Sequence, residues 1–195
     1  MVFYENYILL LMHKKSYGEA AKTFHSSFYE IPWKEMPKFH QERWKLVQAW
    51  LYLVSEKDYQ AYIPGGFRFS RTINEIRSIA ADKKGLNISL LILEICMHIK
   101  NGNEKERFNK MEELKTHRTK YIRKGASKRT QIFIKMLLAL DASNYDPGKA
   151  IMASAQWTKK LHANPYTFPG DFEGFEVILF EDLWEKVLGW VGITN

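Results

Sequence analysis

Cysteine is almost absent from this sequence, and its scarcity excludes two common ways of stabilising a small fold. The 195 residues contain one cysteine, Cys96, so the chain can form no internal disulfide and no cysteine-based zinc site. Cys96 lies in an apolar run, which predicts a buried structural thiol because free cysteine is among the most buried residue types. A lone cysteine is also typical of a reducing compartment.

Membrane-spanning and targeting segments are lacking as well. The longest mainly apolar stretch, residues 86–99, is interrupted by polar residues and is shorter than the ~20 residues that a membrane helix requires. The first residues have no basic start, and Lys14 and Lys15 stand where a signal peptide would have small residues for cleavage. We therefore expect a cytoplasmic protein that does not associate with membranes.

Catalytic and metal-binding motifs are the third absence. The six histidines are dispersed, and no two have the i, i+4 spacing of a helical zinc site. The sequence has no G-x-G-x-x-G motif, and the glycine pair at 65–66 lacks the lysine and hydroxyl residue of a phosphate-binding loop. We expect no metal, no cofactor and no enzymatic activity. An enzyme whose active site is assembled from residues distant in sequence is the third functional hypothesis, behind the two functions that are described below.

Helical periodicity is what the sequence has in abundance. Apolar residues make up 46% of the chain, enough for a core, and they recur at three- and four-residue steps, as at Trp44, Val47 and Leu51. Short loops with proline or glycine separate the periodic segments. The pattern predicts an all-α fold of nine or ten helices in stacked antiparallel hairpins. It predicts one domain over residues 1–195, with its strongest internal break near 64–66.

Three helix starts have specific signals. Ser16, with Glu19 three residues later, predicts a capping box at the start of a helix. Ser127 is the expected N-cap of a helix that extends to residue 142. Asp146 followed by Pro147 predicts another start, because proline suits the first helical turn.

The first 34 residues resemble one tetratricopeptide repeat. The aromatic, apolar, small and proline positions of that repeat are occupied by Tyr4, Tyr7, Leu11, Tyr17, Ala20, Phe24 and Pro32. Ala20 is small enough for the two helices of the hairpin to approach, and Pro32 ends the second helix. Ile8 and Lys15 depart from the small residue and the turn glycine of the repeat, and the match weakens beyond residue 34. The whole chain is similar to bacterial tetratricopeptide-like proteins of unknown activity.

The resemblance implies a binding groove and a function. In peptide-binding relatives, polar residues on the first helix of each hairpin line a concave face. The matching positions, which we predict to be partner-binding residues, are Glu5, Asn6, Met12 and His13. Leu9 occupies the position of a peptide-clamping asparagine, so the carboxylate-clamp activity is not expected, although Asn6 could hold a peptide backbone. The predicted function is a non-catalytic protein–protein interaction module that binds a protein or peptide.

A run of basic residues carries the alternative function. Residues 115–129 contain seven cations and no acid, within a chain of net charge +7; the cations are Lys115, Arg118, Lys120, Arg123, Lys124, Lys128 and Arg129. Such a run can neutralise phosphates, which predicts a nucleic-acid-binding accessory protein. Two other interpretations stay open. The run is either a solvated helix end favoured by the helix dipole or a surface for an acidic protein partner.

The N-terminal helix is apolar on nearly all sides. Residues 7–12 are six consecutive apolar residues, which encircle a helix at ~100° per residue. A terminal helix of a solenoid should have a polar outer face. Either C-terminal residues such as Leu183 and Trp184 cover this helix, or a partner does. The simplest partner is a second copy joined through a two-fold patch, and replacing Leu9 or Leu10 with a charged residue tests that homodimer.

Overall fold

The chain is helical in the parts that the computed structural model describes, which are residues 2–32, 35–60, 62, 67–79, 86–123, 127–167 and 176–194. Those residues form ten helices and no strand. The helices are α1 (Val2–His13), α2 (Tyr17–Glu30), α3 (Lys38–Val54), α4 (Lys57–Gln60), α5 (Phe69–Ile79), α6 (Leu86–Lys100), α7 (Glu104–Arg123), α8 (Lys128–Ala142), α9 (Pro147–His162) and α10 (Phe180–Thr194). The prediction of an all-α fold of packed helical hairpins is confirmed.

Contacts between residues divide the chain into two compact units, Met1–Ala81 and Asp82–Asn195. The first unit contains α1 to α5, and the second contains α6 to α10. The break predicted near 64–66 lies outside the described residues. The prediction of a single domain therefore stays a prediction.

In the first unit, α1 and α2 form a hairpin that packs against α3. The Tyr4 hydroxyl donates a hydrogen bond of 2.6 Å to Glu30 Oε2, which joins the start of α1 to the end of α2. The rings of Phe24 on α2 and Trp44 on α3 lie 5.0 Å apart between centroids. Ala20 is fully buried, as expected for the small residue of a close helix pair.

The start of α2 differs from the sequence prediction. Ser16 occupies the N-cap position, but its side chain accepts no hydrogen bond from the helix. Its ψ of 55° is far from the extended geometry that aims an N-cap oxygen at the first turn. Glu19 instead lies 3.6 Å from the ammonium of Lys22. The predicted capping box is therefore wrong.

Glycine allows a close approach in the first turn of α2. A Cβ atom added at Gly18 would lie 2.6 Å from a ring carbon of Tyr59, which belongs to α4. The missing side chain therefore makes room for the aromatic ring. Lys15, at the position where the tetratricopeptide pattern has glycine, adopts a positive φ of 60°, so the turn keeps the left-handed conformation without glycine.

In the second unit, α6 is buried on most of its surface. Cys96 lies in this helix and is fully buried, and burial raises the pKa of its thiol. The apolar run around it predicted this environment. The α10 helix packs nearby, with the Phe180 ring stacked on Phe133 of α8 at 4.5 Å and the Trp184 ring edge-on to Phe133 at 6.5 Å.

Both helices of the α8–α9 hairpin have the N-cap residues that the sequence predicted. The Ser127 hydroxyl accepts a hydrogen bond of 3.1 Å from the Thr130 amide at the start of α8. The Asp146 carboxylate accepts one of 2.8 Å from the Lys149 amide, with Pro147 in the first turn of α9. Among the helices described, none is long and apolar enough to cross a membrane.

Candidate functional site

Arg129 is the member of the basic run whose position differs most from the prediction. Its side chain is only 8% exposed, and its guanidinium donates to both oxygens of Glu176, at 2.7 and 3.0 Å. It also donates to Glu181 and to the carbonyl oxygens of Leu161 and Asn164. Arg129 is thus a buried connection between α8, the end of α9 and the start of α10. It does not belong to an exposed basic patch.

The charges of this buried cluster perturb one another. Burial raises the pKa of Glu176 even though Arg129 opposes the shift. Burial also acts against ionisation of Glu181, but the hydrogen bonds and charge of Arg129 outweigh it and lower the pKa of that carboxyl. Burial alone would lower the pKa of Arg129, whereas the two carboxylates raise it. Arg129 therefore stays ionised and holds two acidic side chains in place.

The rest of the basic run divides into three groups. Lys115 forms ion pairs with Glu112 at 2.6 Å and with Asp141 at 2.8 Å, and hydrogen bonds to these acids raise its pKa. Lys128 is exposed. The side chains of Arg118, Lys120 and Arg123, and all of Lys124, lie outside what the structure describes. Nucleic-acid binding by residues 115–129 stays a prediction.

The four predicted groove residues have different environments. Glu5 is buried and forms an ion pair with Arg43, with His40 Nδ1 3.8 Å from its other oxygen. Met12 is fully buried. Asn6 is exposed and His13 is half-buried. Only Asn6 and His13 thus present accessible side chains, and the role of these four residues in binding a partner stays a prediction.

The exposed side of α1 is the clearest candidate surface, and it is apolar. Phe3 is 73% exposed, Leu10 is 50% exposed, and Tyr7 lies between them with its ring stacked on Phe3 at 6.1 Å. At ~100° per residue, these three side chains fall within an arc of about 60°. The buried side chains of the helix (Glu5, Ile8, Leu9 and Met12) are centred on the opposite side.

Periodicity alone did not separate these two sides of α1. Every residue from 7 to 12 is apolar, so the sequence did not indicate which of them face the core. The structure buries Leu9 and exposes Leu10, although both were interchangeable in the sequence prediction. The structure also buries Glu5 on the core side of α1, where Arg43 on α3 is its charged partner.

Metal binding has no support in the described part of the chain. There, no three or more histidine, cysteine, aspartate or glutamate side chains come together in a way that could hold a metal ion. Whether the chain catalyses a reaction stays untested.

Comparisons of the chain with protein-family models, with curated proteins and with solved structures found no match. The tetratricopeptide resemblance of residues 1–34 therefore stays a prediction.

Proposed function

We propose that this chain is a non-catalytic protein-interaction module of tetratricopeptide-like hairpins and that it binds through the exposed side of α1. The observation that carries this proposal is the apolar face formed by Phe3, Tyr7 and Leu10. Contiguous exposed apolar surface on a soluble protein marks an interaction site, and aromatic residues are enriched at the centre of interfaces. The single buried cysteine supports a cytoplasmic setting for this module.

The partner that fits this face best is a second copy of the chain. Glu5 is the only acidic or basic residue from Val2 to Met12, and it is buried against Arg43. The exposed face therefore carries no side-chain charge and is complementary to itself. Two copies related by a two-fold axis can pair this face without bringing like charges together.

The size of the helix limits how tightly the two copies can bind. A helix of 12 residues is about 18 Å long, so a pairing of two such helices is near the lower end of specific interfaces. We therefore expect a reversible dimer with a dissociation constant on the order of micromolar.

Light scattering coupled to size exclusion tests the proposal over about 1–200 µM protein, a range that brackets such a constant. The mass should rise with concentration from 23.0 kDa toward twice that value. Leu10→Lys should keep the protein monomeric, because it places a charge within the apolar face. Phe108→Lys is the matched control, since Phe108 is 61% exposed on α7, and it should dimerise like the unmodified protein.

Two results would contradict the proposal. One is a monomer at every concentration. The other is an equal loss of dimer in Leu10→Lys and Phe108→Lys, which would mean that charge in general, and not the α1 face, controls association. Leu9 is a poor site for this test because a buried charge there would disturb folding.

A further inference from the structure

A tryptophan contacted by two lysines lies on the surface of the α8–α9 hairpin. The ammonium of Lys135 on α8 lies 4.3 Å from the centroid of the Trp157 ring, and that of Lys160 lies 4.5 Å from it. Trp157 is half-buried, so part of its ring faces solvent. The packing of α8 on α9 therefore holds two cations and one aromatic ring on one small area.

The helix that carries this tryptophan has no acidic residue. Residues 147–170 contain no aspartate or glutamate. Lys149 and Lys160 lie about 60–80° around α9 from Trp157, whereas Lys159 lies about 160° away from it. Within the described part of the chain, Lys135, Lys159 and Lys160 form no ion pair, whereas Lys149 lies 3.8 Å from Asp146. Lys135 and Lys160 therefore remain available to an anion from outside the chain, whereas Lys149 is shared with Asp146.

Two acidic side chains in the described part of the chain near the open end of the hairpin do not cancel this charge. Glu176 and Glu181 both bind Arg129, which keeps their oxygens directed at its guanidinium. Arg129 thereby contributes to the basic face indirectly, because it neutralises carboxylates next to the end of α9.

We infer that this face of the α8–α9 hairpin binds single-stranded nucleic acid. Lysines 135, 149 and 160 would bind phosphates, and the movement of Lys135 and Lys160 from the ring of Trp157 to phosphates would free that ring to stack on an unpaired base. A single strand exposes both of these groups, and grooves that bind it combine cations with aromatic platforms. The surface is distinct from the apolar side of α1 and from the basic run 115–129.

Charge and aromatic placement favour a nucleic acid over other anionic partners. An acidic protein would use the lysines but has no general need for the tryptophan between them. A lipid surface would require a row of large apolar side chains beside the cations. The exposed Ile151 and Met152 of α9 do not form such a row with Trp157, because they lie about 120° and 140° around the helix from it. The experiment below distinguishes the nucleic acid from both an acidic protein and a lipid surface.

Fluorescence anisotropy with the full chain and a labelled oligouridylate of about 15 nucleotides tests the inference at about 50 mM salt. A single-stranded site contributes about −0.7 per phosphate to the slope of log K against log salt, so three lysines predict roughly −2. Lys135→Gln with Lys160→Gln should weaken binding at least tenfold and reduce the slope to roughly −0.7. Lys38→Gln with Lys105→Gln removes the same charge from exposed positions on α3 and α7 and should bind almost normally.

Substitutions of Trp157 test the stacking interaction separately from the charge. Trp157→Leu should weaken binding about tenfold, whereas Trp157→Phe should retain most of it because phenylalanine can still stack. Circular dichroism should show the same helical signal for every variant.

Several results would overturn the inference. They are no binding of the oligonucleotide, equal loss in the two lysine pairs, no effect of Trp157→Leu, and equal affinity for polyglutamate. Binding to phosphatidylserine vesicles in place of the oligonucleotide would assign the face to a lipid surface instead. None of these results changes the light-scattering test of the α1 face.

Discussion

Replacing Arg129 with leucine should destabilise the second unit strongly, because it removes the cation that holds Glu176 and Glu181. Glu176 has a side chain that is only 1% exposed, and without Arg129 its carboxylate would stay buried without a cation. The carbonyl oxygens of Leu161 and Asn164 also lose a donor. Breaking a buried ion pair by removing one partner costs about 3–5 kcal/mol. Glu181 is 21% exposed and adds less, so we expect a loss within that range.

The loss should depend on pH, with a sign that follows from the two carboxyls. Without Arg129, the pKa of Glu176 in the folded variant should rise further. The variant is then most stable below the unfolded pKa of this carboxyl, and it loses stability as pH rises from there through the raised folded pKa. In the unmodified protein, the lowered pKa of Glu181 stabilises the fold above its unfolded pKa, and this contribution is lost as pH falls. The Glu176 effect should make the difference in stability between the two proteins smaller at pH 5 than at pH 7, whereas the Glu181 contribution is lost only below about pH 5.

Urea unfolding followed by circular dichroism at both pH values measures this difference. Lys128→Leu is the matched control, since Lys128 is the exposed cation next to Arg129 on α8, and it should change stability by less than about 0.5 kcal/mol. The reasoning is refuted if Arg129→Leu is no worse than Lys128→Leu, or if its penalty is the same at pH 7 and pH 5.

Two further substitutions test local packing and capping by the same unfolding assay. Ala20→Leu should lower the free energy of unfolding by about 1–3 kcal/mol, because it overpacks a fully buried position. The control Ala155→Leu, on the exposed side of α9, should be nearly neutral. Equal effects of the two substitutions would show that the close contact of α1 and α2 does not depend on Ala20. Ser127→Ala should lower the free energy of unfolding by about 1 kcal/mol, because a capping hydrogen bond is lost. Ser16→Ala should lower it much less, because the Ser16 side chain makes no such bond. The reverse order of the two effects would contradict the observed caps.

Local signals predicted the helices well. Hydrophobic periodicity and short proline or glycine loops indicated the helices that the structure shows, and the starts of α8 and α9 had the expected capping residues. The capping box predicted from Ser16 and Glu19 was wrong because a capping box depends on backbone angles as well as on residue type. The preceding turn places Lys15 at a positive φ and leaves Ser16 outside the extended region.

Long-range pairing was beyond the reach of local patterns. Arg129 stood in a run of cations, and its partner Glu176 lies 47 residues further along the chain. The sequence therefore indicated a surface charge where the fold makes a buried ion pair. Glu5 was assigned to an exposed groove for the same reason, since Arg43 reaches it only after α3 packs against the hairpin.

The basic face around Trp157 had a signal that the sequence interpretation did not use. Residues 147–170 lack acids and contain two adjacent lysines close to a tryptophan. Lys135 could not be assigned to that group from sequence, because it lies on the other helix of the hairpin.

Cross-linking at the centre of the α1 face tests the interaction module most directly. In a two-fold pairing of this face, Tyr7 lies between Phe3 and Leu10 and faces its own copy, so Tyr7→Cys should give a covalent dimer with a short bismaleimide. Phe108→Cys should give no covalent dimer, and Cys96 should not react because it is fully buried with a raised thiol pKa. A Tyr7→Cys protein that stays monomeric at about 100 µM, well above a micromolar dissociation constant, would contradict the account. Equal cross-linking of Tyr7→Cys and Phe108→Cys would contradict it as well.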